Sequence, residues 1–254
     1  MDWVIAIPSF NRPEMIKKKT LALLTKHNIP SDKIYIFLAD TLELERYASV
    51  PGNKIVGELG LVEQRNYICR HFPIGKAIVF MDDDVEDIVD MSGNMLDMAN
   101  MFDSGFKACQ TEGAHFWGIT ATKNRFFMKP GMSKDLKFIC GSFFGIINVG
   151  EIEYPFGTVK EDYQRCIYFW ERDHVIIRFN WLGVKTQVYK NAGGLQTGGR
   201  HAAEMRVVPQ MLATWPQYLS LRSKRKSGYP ELGFHRRKGI LIAHPANSIQ
   251  TPAV

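Results

Sequence analysis

An apolar run, Ala77-Ile78-Val79-Phe80-Met81, stops abruptly at three carboxylates, Asp82, Asp83 and Asp84. No other stretch limits the fold as tightly. Apolar residues with no polar alternation read as a strand buried on both faces, the kind found in parallel sheets. Adjacent carboxylates at its carboxyl end repel one another unless something neutralises them. A hard divalent cation with oxygen ligands does so, and can hold a diphosphate at the same time. On an extended chain Asp82 and Asp84 point one way and Asp83 the other. An acidic surface turn is the competing reading, because Glu86 and Asp87 continue the acidity.

The flanking pattern places this strand in a sheet. Strands are expected at 3–8, 34–39, 54–56 and 77–81, with helices at 13–28, 42–47 and 61–72 between them. This alternation means a doubly wound parallel sheet, in which ligands bind beyond the carboxyl ends of the strands. Ser9, Asp40 and the three aspartates each fall at such an end. Further along, helices are expected at 95–112 and 158–172, and strands at 114–120 and 137–148. A hairpin from 175–179 and 185–189 should turn near Gly183. A glycine-rich loop follows, then a helix over 203–221 that Pro209 and Pro216 should break, and a last strand at 239–243.

The expected fold class is α/β, a doubly wound, mostly parallel sheet with helices on both faces and a C-terminal helical, basic extension. Residues 1–200 form the main domain, divided at about residue 90 into a nucleotide-binding half and an acceptor half. Residues 201–254 form a lid and basic extension of the same globule. No run of eighteen apolar residues is present, so no membrane span is expected. The strand pattern starts at Trp3, leaving no room for a signal peptide. With four scattered cysteines and no CxxC pair, reduced thiols and a cytoplasmic location follow. The net charge is +6, and Arg222, Lys224, Arg225, Lys226, Arg236, Arg237 and Lys238 crowd the C-terminal region. They read either as a solvated face or as a contact surface for a phosphate backbone.

Several motifs, in order, carry a resemblance. Ile5-Ala6-Ile7-Pro8-Ser9-Phe10-Asn11-Arg12 resembles the opening strand and loop of family 2 glycosyltransferases of the GT-A fold. Gly60-Leu61-Val62-Glu63-Gln64-Arg65-Asn66 resembles their glycine-to-Arg-Asn helix. Asp82-Asp83-Asp84 resembles their DxD motif, and Glu161-Asp162 the acidic pair that opens the helix of the catalytic base. The Phe-Asn-Arg-Pro start, the Gln-Arg-Asn helix, the strand end and the loop Gly193-Gly194-Leu195-Gln196-Thr197-Gly198-Gly199 are similar, more narrowly, to the TET-associated glycosyltransferases of bacteriophages. Those are held to glycosylate oxidised methylpyrimidines in DNA.

The resemblance implies a metal-dependent transferase using a UDP-sugar, with Mn²⁺ or Mg²⁺, and an acceptor hydroxyl on a 5-hydroxymethylcytosine-like base. For a phage enzyme the location would be the host cytoplasm. Pro8, Ser9, Asn11, Arg12, Asp40, Arg65, Asp82, Asp83, Gly198, Gly199 and Arg200 would hold the donor. Asp82, Asp84 and His201 would hold the metal. Asp162 would be the base, with Glu161 beside it, and a single base implies inversion. Gly141, Ser142, Arg222, Lys224 and Arg225 would meet the acceptor, and Gly141 would permit its close approach. Asp162 in a first helical turn is favoured as the anion by the helix dipole. Trp117, Phe143, Phe144 and Trp181 are candidates to stack on sugar or base. Other acceptors (a glycan, a lipid or a protein side chain) and an inactive nucleic-acid-binding module stay open.

Overall fold

A computed structural model describes residues 1–93, 96–186, 199–224 and 228–235. A nine-stranded sheet runs through it in the order β3-β2-β1-β4-β8-β6-β9-β5, with β7 beside β9. Its strands are β1 (Trp3–Pro8), β2 (Ile34–Leu38), β3 (Asn53–Val56), β4 (Ala77–Met81), β5 (Asp87–Asp90), β6 (Phe116–Thr120), β7 (Met132–Ser133), β8 (Phe143–Ile147) and β9 (Ile177–Lys185). β1, β2, β3 and β4 are mutually parallel, and β6 and β9 share their direction. β8, β5 and β7 run the other way. The expected mostly parallel sheet is present, with β8 inserted antiparallel beside the central β4.

The two-residue period of the strands sorts their side chains between two cores. On β4, Ala77, Val79 and Met81 enter one core and Ile78 and Phe80 the other. The first core is covered by α1 (Pro13–Ile16), α2 (Ala22–Lys26), the segment after α3 (Thr41–Arg46), and α5 (Met98–Glu112). The second is covered by α4 (Leu61–His71), α6 (Glu161–Asp173) and α7 (Arg200–Thr214). Leu219 of β10 (Leu219–Lys224), with Leu232 and Phe234 of β11 (Pro230–Phe234), joins that second core. The described residues of β10 and β11 are therefore packed on the main sheet through these three side chains.

Three expectations fail for physical reasons. The hairpin at Gly183 is one continuous strand, β9. Gly183 sits in it because a Cβ there would lie 1.9 Å from the Thr122 carbonyl oxygen. The glycine thus serves close backbone approach rather than a turn. Helix α7 runs through Pro209 and ends before Pro216; one lost N–H is tolerated at this exposed position. Residues 219–221, the end of the expected helix, instead open β10, which pairs antiparallel to β11. The strand expected at 239–243, the basic residues 225, 226 and 236–238, and most of the glycine-rich loop lie outside the described residues.

Candidate functional site

The three aspartates follow β4 at the edge where β1, β2 and β3 also end. Their backbone is fixed from two sides. The Asp82 amide donates to the Ser142 carbonyl (3.0 Å). Thr20 Oγ1 donates to the Asp82 carbonyl (2.7 Å) and accepts from the Val85 amide (3.0 Å). Thr20 is fully buried in a π-helical turn, Lys17–Leu21, between α1 and α2. Such bulges recur at functional sites because they displace one side chain from the regular ladder.

Pleating then divides the carboxylates. Asp83 turns inward and is 5% exposed. Ser9 Oγ donates to its Oδ2 (2.7 Å) and Arg12 Nη1 to its Oδ1 (3.1 Å). Tyr47 completes this clamp: its hydroxyl is 2.7 Å from Ser9 Oγ and accepts from the Arg12 amide (2.8 Å). Buried Glu43 accepts from the Asn11 amide (2.6 Å) and from Arg46 Nη1 (2.6 Å). Asn11 is held in the left-handed region at φ 56°. Asp40 caps α3, accepting from the Glu43 amide (2.8 Å). Pro8, Ser9, Asn11, Arg12, Asp40 and Asp83 are thus gathered at one end of the site. Phe10, Leu42 and Leu59 are exposed in the segments that follow β1, β2 and β3.

Asp82 faces the other way and keeps its side chain 35% exposed. Burial of its surroundings, with repulsion from Asp84, Asp83 and Glu161, raises its pKa to about 7, against the pull of Arg65. A carboxylate so hard to ionise alone is a good partner for a cation. Among the described residues no group of three His, Cys, Asp or Glu side chains is placed to hold a metal. Asp82 and Asp84 carry hard oxygen donors, the chemistry that Mg²⁺ or Mn²⁺ takes while keeping other positions for phosphate and water. His201 does not join them: its ring packs edge-on against Tyr229, with centroids 4.9 Å apart.

One guanidinium joins this strand end to the helix opposite. Arg65, on α4, is 3% exposed. Its Nη2 donates to the Gly141 carbonyl (2.9 Å) and lies 3.4 Å from Asp82 Oδ1. Its Nη1 is 2.5 Å from Glu161 Oε2. Arg165, wholly buried and lying over the Phe144 ring at 3.8 Å, meets the same Glu161 oxygen at 2.5 Å. Burial would raise the Glu161 pKa, but Arg165 and Arg65 together hold it below the usual range. Gly141 is a glycine because a Cβ would meet Glu161 Oε1 at 2.5 Å. The close approach expected there for an acceptor is already occupied by Glu161 and Arg65. Ser142 is buried, with its Oγ 3.3 Å from Cys140 Sγ.

The neighbours of Arg65 on α4 each hold a different segment. Gln64 Oε1 accepts from the Glu58 amide (2.7 Å), and Asn66 exchanges two hydrogen bonds with Ile152.

Asp162 occupies the first turn of α6. Burial, and then repulsion from Glu161, raises its pKa to about 6; Arg165, the Tyr163 amide and Lys160 oppose the shift. Desolvation outweighs the helix dipole at this position, so the carboxyl titrates above its usual range. The turn before α6 is built on Gln164, whose Nε2 donates to the Gly157 and Val159 carbonyls. Lys160 takes a left-handed conformation, φ 52°, and its Nζ is 2.7 Å from buried Glu204 of α7. Arg200 pairs with the same carboxylate (3.1 Å), one residue after Gly199. Burial raises the Cys140 thiol pKa, and both Asp162 and Asp82 add to that rise. The first turn of α6 and the strand end thus both act on Cys140.

Some expected residues fall elsewhere. Trp117, Phe143 and Phe144 are core side chains, none more than 1% exposed. Arg222 lies on β10 across Gly233. Lys224 is the last residue of that strand. Gly198 and Arg225 are outside the described residues.

No protein-family model matches the chain, and no curated protein matches its sequence. Solved structures do. One is glucosyl-3-phosphoglycerate synthase from Mycobacterium tuberculosis in complex with Mn²⁺, uridine-diphosphate-glucose and phosphoglyceric acid. It has a TM-score of 0.51 at 12% identity, over 87% of this chain and 83% of that one. GalNAc-T7 with UDP, GalNAc and Mn²⁺ matches with a TM-score of 0.50 at 10% identity, over 85% of this chain. S. aureus TarS 1-349 matches 72% of this chain at 12% identity, with a TM-score of 0.45. The chain spans 60% of that TarS fragment and 50% of GalNAc-T7. At these identities the likeness to the first two establishes the fold alone, the one expected from the sequence motifs.

Proposed function

We propose that this chain is a metal-dependent glycosyltransferase that moves a sugar from a UDP-sugar to the hydroxymethyl group of a modified pyrimidine in DNA. The observation that carries the reading is the convergence at Arg65. One buried guanidinium touches the exposed Asp82 of the DxD-like strand end and the acid that precedes Asp162. The fold shared with structures that hold UDP or a UDP-sugar together with Mn²⁺ supports the donor. The narrower resemblance and the +6 charge support the acceptor.

In this reading the clamp of Ser9, Arg12, Tyr47 and Asp83 shapes the nucleotide end of the site. Asp82 and Asp84 would hold the cation, which when bound supplies Lewis-acid neutralisation of the leaving diphosphate. Asp162 takes the proton of the acceptor hydroxyl as that oxygen bonds to the anomeric carbon. The bond from that carbon to the diphosphate oxygen breaks, and UDP leaves with its electron pair. Inversion at carbon follows from a single displacement. Glu161 does not compete for the proton, because two arginines keep it ionised and buried. It is a positioning residue.

The test is nucleoside mass spectrometry after incubation with hydroxymethylcytosine DNA, Mn²⁺ and a panel of UDP-sugars. A sugar mass on the hydroxymethyl base, lost on chelation and in Asp162→Asn, is expected. Slow hydrolysis of one UDP-sugar with DNA unmodified would overturn the acceptor and keep the transferase. Neither transfer nor hydrolysis across the panel would overturn both.

A further inference from the structure

The segment that leaves β6 ends in a projecting turn that the site does not use. Phe126 and Phe127 are 85% and 63% exposed. Their rings stand at 85° with centroids 5.2 Å apart. Among the described residues Phe10 is the one other exposed Phe, Trp or Tyr, so a tandem pair held in water is a departure that wants a partner.

The turn is built to present them. Residues Arg125–Phe127 form a 3-10 turn capped by Asn124, whose side chain accepts from the Phe126 amide (3.1 Å). Thr122 Oγ1 accepts in turn from the Asn124 amide (3.1 Å). Met128 is buried below. The Lys129 amide donates to the Asn180 carbonyl (3.0 Å), and the Asn180 amide to Gly131 (3.2 Å). These bonds tie the base of the turn to β9.

Its charge is one-sided. Lys123, Arg125 and Lys129 are exposed beside the rings in the chain, with the Arg125 guanidinium next to Gly93, and no acid occurs between residues 121 and 134. β6 is antiparallel to β8, which is antiparallel to β4. The turn therefore leaves the same sheet edge as Asp82, about two strand spacings, roughly 10 Å, to the acceptor side.

We propose that this turn is a nucleic-acid contact in which Phe126 and Phe127 stack on bases while Lys123, Arg125 and Lys129 meet phosphates. Exposed rings flanked in the chain by exposed cations match a polyanion that carries π-faces, and such rings also fill the gap left by a displaced base. A lipid surface fits less well: stable interfacial anchoring takes more apolar surface than two rings supply. The inference rests on the reading that the acceptor is DNA, and its test separates the two.

The experiment is fluorescence anisotropy of a labelled duplex with one central hydroxymethylcytosine, between about 50 and 200 mM salt. Phe126→Ser/Phe127→Ser should weaken binding at least about tenfold with the salt slope unchanged. Lys123→Gln/Arg125→Gln/Lys129→Gln should reduce the slope of log K against log salt by about 3. All five side chains are exposed, so both variants should keep the wild-type melting temperature. Wild-type binding in both variants would overturn the inference. So would a wild type that ignores the duplex, whether it binds phosphatidylserine vesicles instead or neither. Duplex binding through this turn with no sugar on the base would leave the inference and sink the acceptor reading. Sugar transfer with an unchanged KM for DNA in the phenylalanine variant would do the reverse.

Discussion

Glu161→Gln removes one negative charge from between two buried guanidiniums. Arg65 is 3% exposed and Arg165 fully buried, and Glu161 Oε2 is 2.5 Å from each. Truncating one partner of a buried pair costs about 3–5 kcal/mol, because the other charge is left without compensation. Asp82, at 3.4 Å from Arg65, replaces only part of what is lost. For a chain of this size the cost corresponds to a fall in melting temperature of roughly 6–20 °C, read by calorimetry near neutral pH. The Glu161 pKa is depressed in the folded protein. Its stabilisation is therefore present above the unfolded value of 4.5 and fades as pH falls through the folded pKa, so the gap to wild type should close in acid. A second readout is independent of stability. Glu161 raises the Asp162 pKa and Arg165 lowers it, so the substitution should shift the acid limb of activity downward from about pH 6. A melting temperature within about 2 °C of wild type, or an acid limb that moves upward, would refute the reasoning.

Two further outcomes follow from the same geometry. Asp162, with a pKa of about 6, is ionised above that pH, so kcat/KM should fall as pH drops through 6. Asp162→Asn should lower turnover by about 10²–10⁴-fold and remove that limb. Gly183→Ala places a methyl 1.9 Å from the Thr122 carbonyl oxygen. The backbone of two segments must separate, and urea titration should show a loss of at least about 1–3 kcal/mol.

What was legible in the sequence was whatever depends on local period. The strand at Ala77–Met81, the presence of the first four strands, and the opposite facing of Asp82 and Asp83 follow from hydrophobic runs and the pleat. What was not legible depends on long-range contact. Gly141, Gly145 and Gly183 look like breaks in a strand, but each is a glycine because a distant side chain or carbonyl fills the place of its Cβ. Trp117 looks like a ligand-stacking ring, yet it lies against the Cα atoms of Gly105 and Gly145. Thr20, Tyr47, Gln164, Arg165 and Glu204 brace the site from ordinary-looking helices. Only their burial distinguishes them, and a polar residue in an amphipathic pattern gives no sign of facing inward. The β10–β11 pair was hidden because its first residues, 219–221, read as the end of the preceding helix.

The two acidic motifs solve the same electrostatic problem by different local geometry. Neighbouring carboxylates of like charge cannot both stay ionised and buried without partners. After β4 the pleat separates them by half a turn. Asp83 is directed to Ser9 and Arg12, and Asp82 to the site, where burial and repulsion lift its pKa. At the start of α6 helical pitch does the separating. Glu161 is directed to Arg65 and Arg165, and Asp162 toward Cys140, and again the second acid is lifted. In each pair one acid is held by arginine, but only Glu161 is depressed by it; burial raises Asp83 as well, against Ser9 and Arg12. Arg65 reaches both motifs, so its loss would disturb both acids together. The site is a single coupled charge system, and a substitution at Arg65 should not add with one at Glu161.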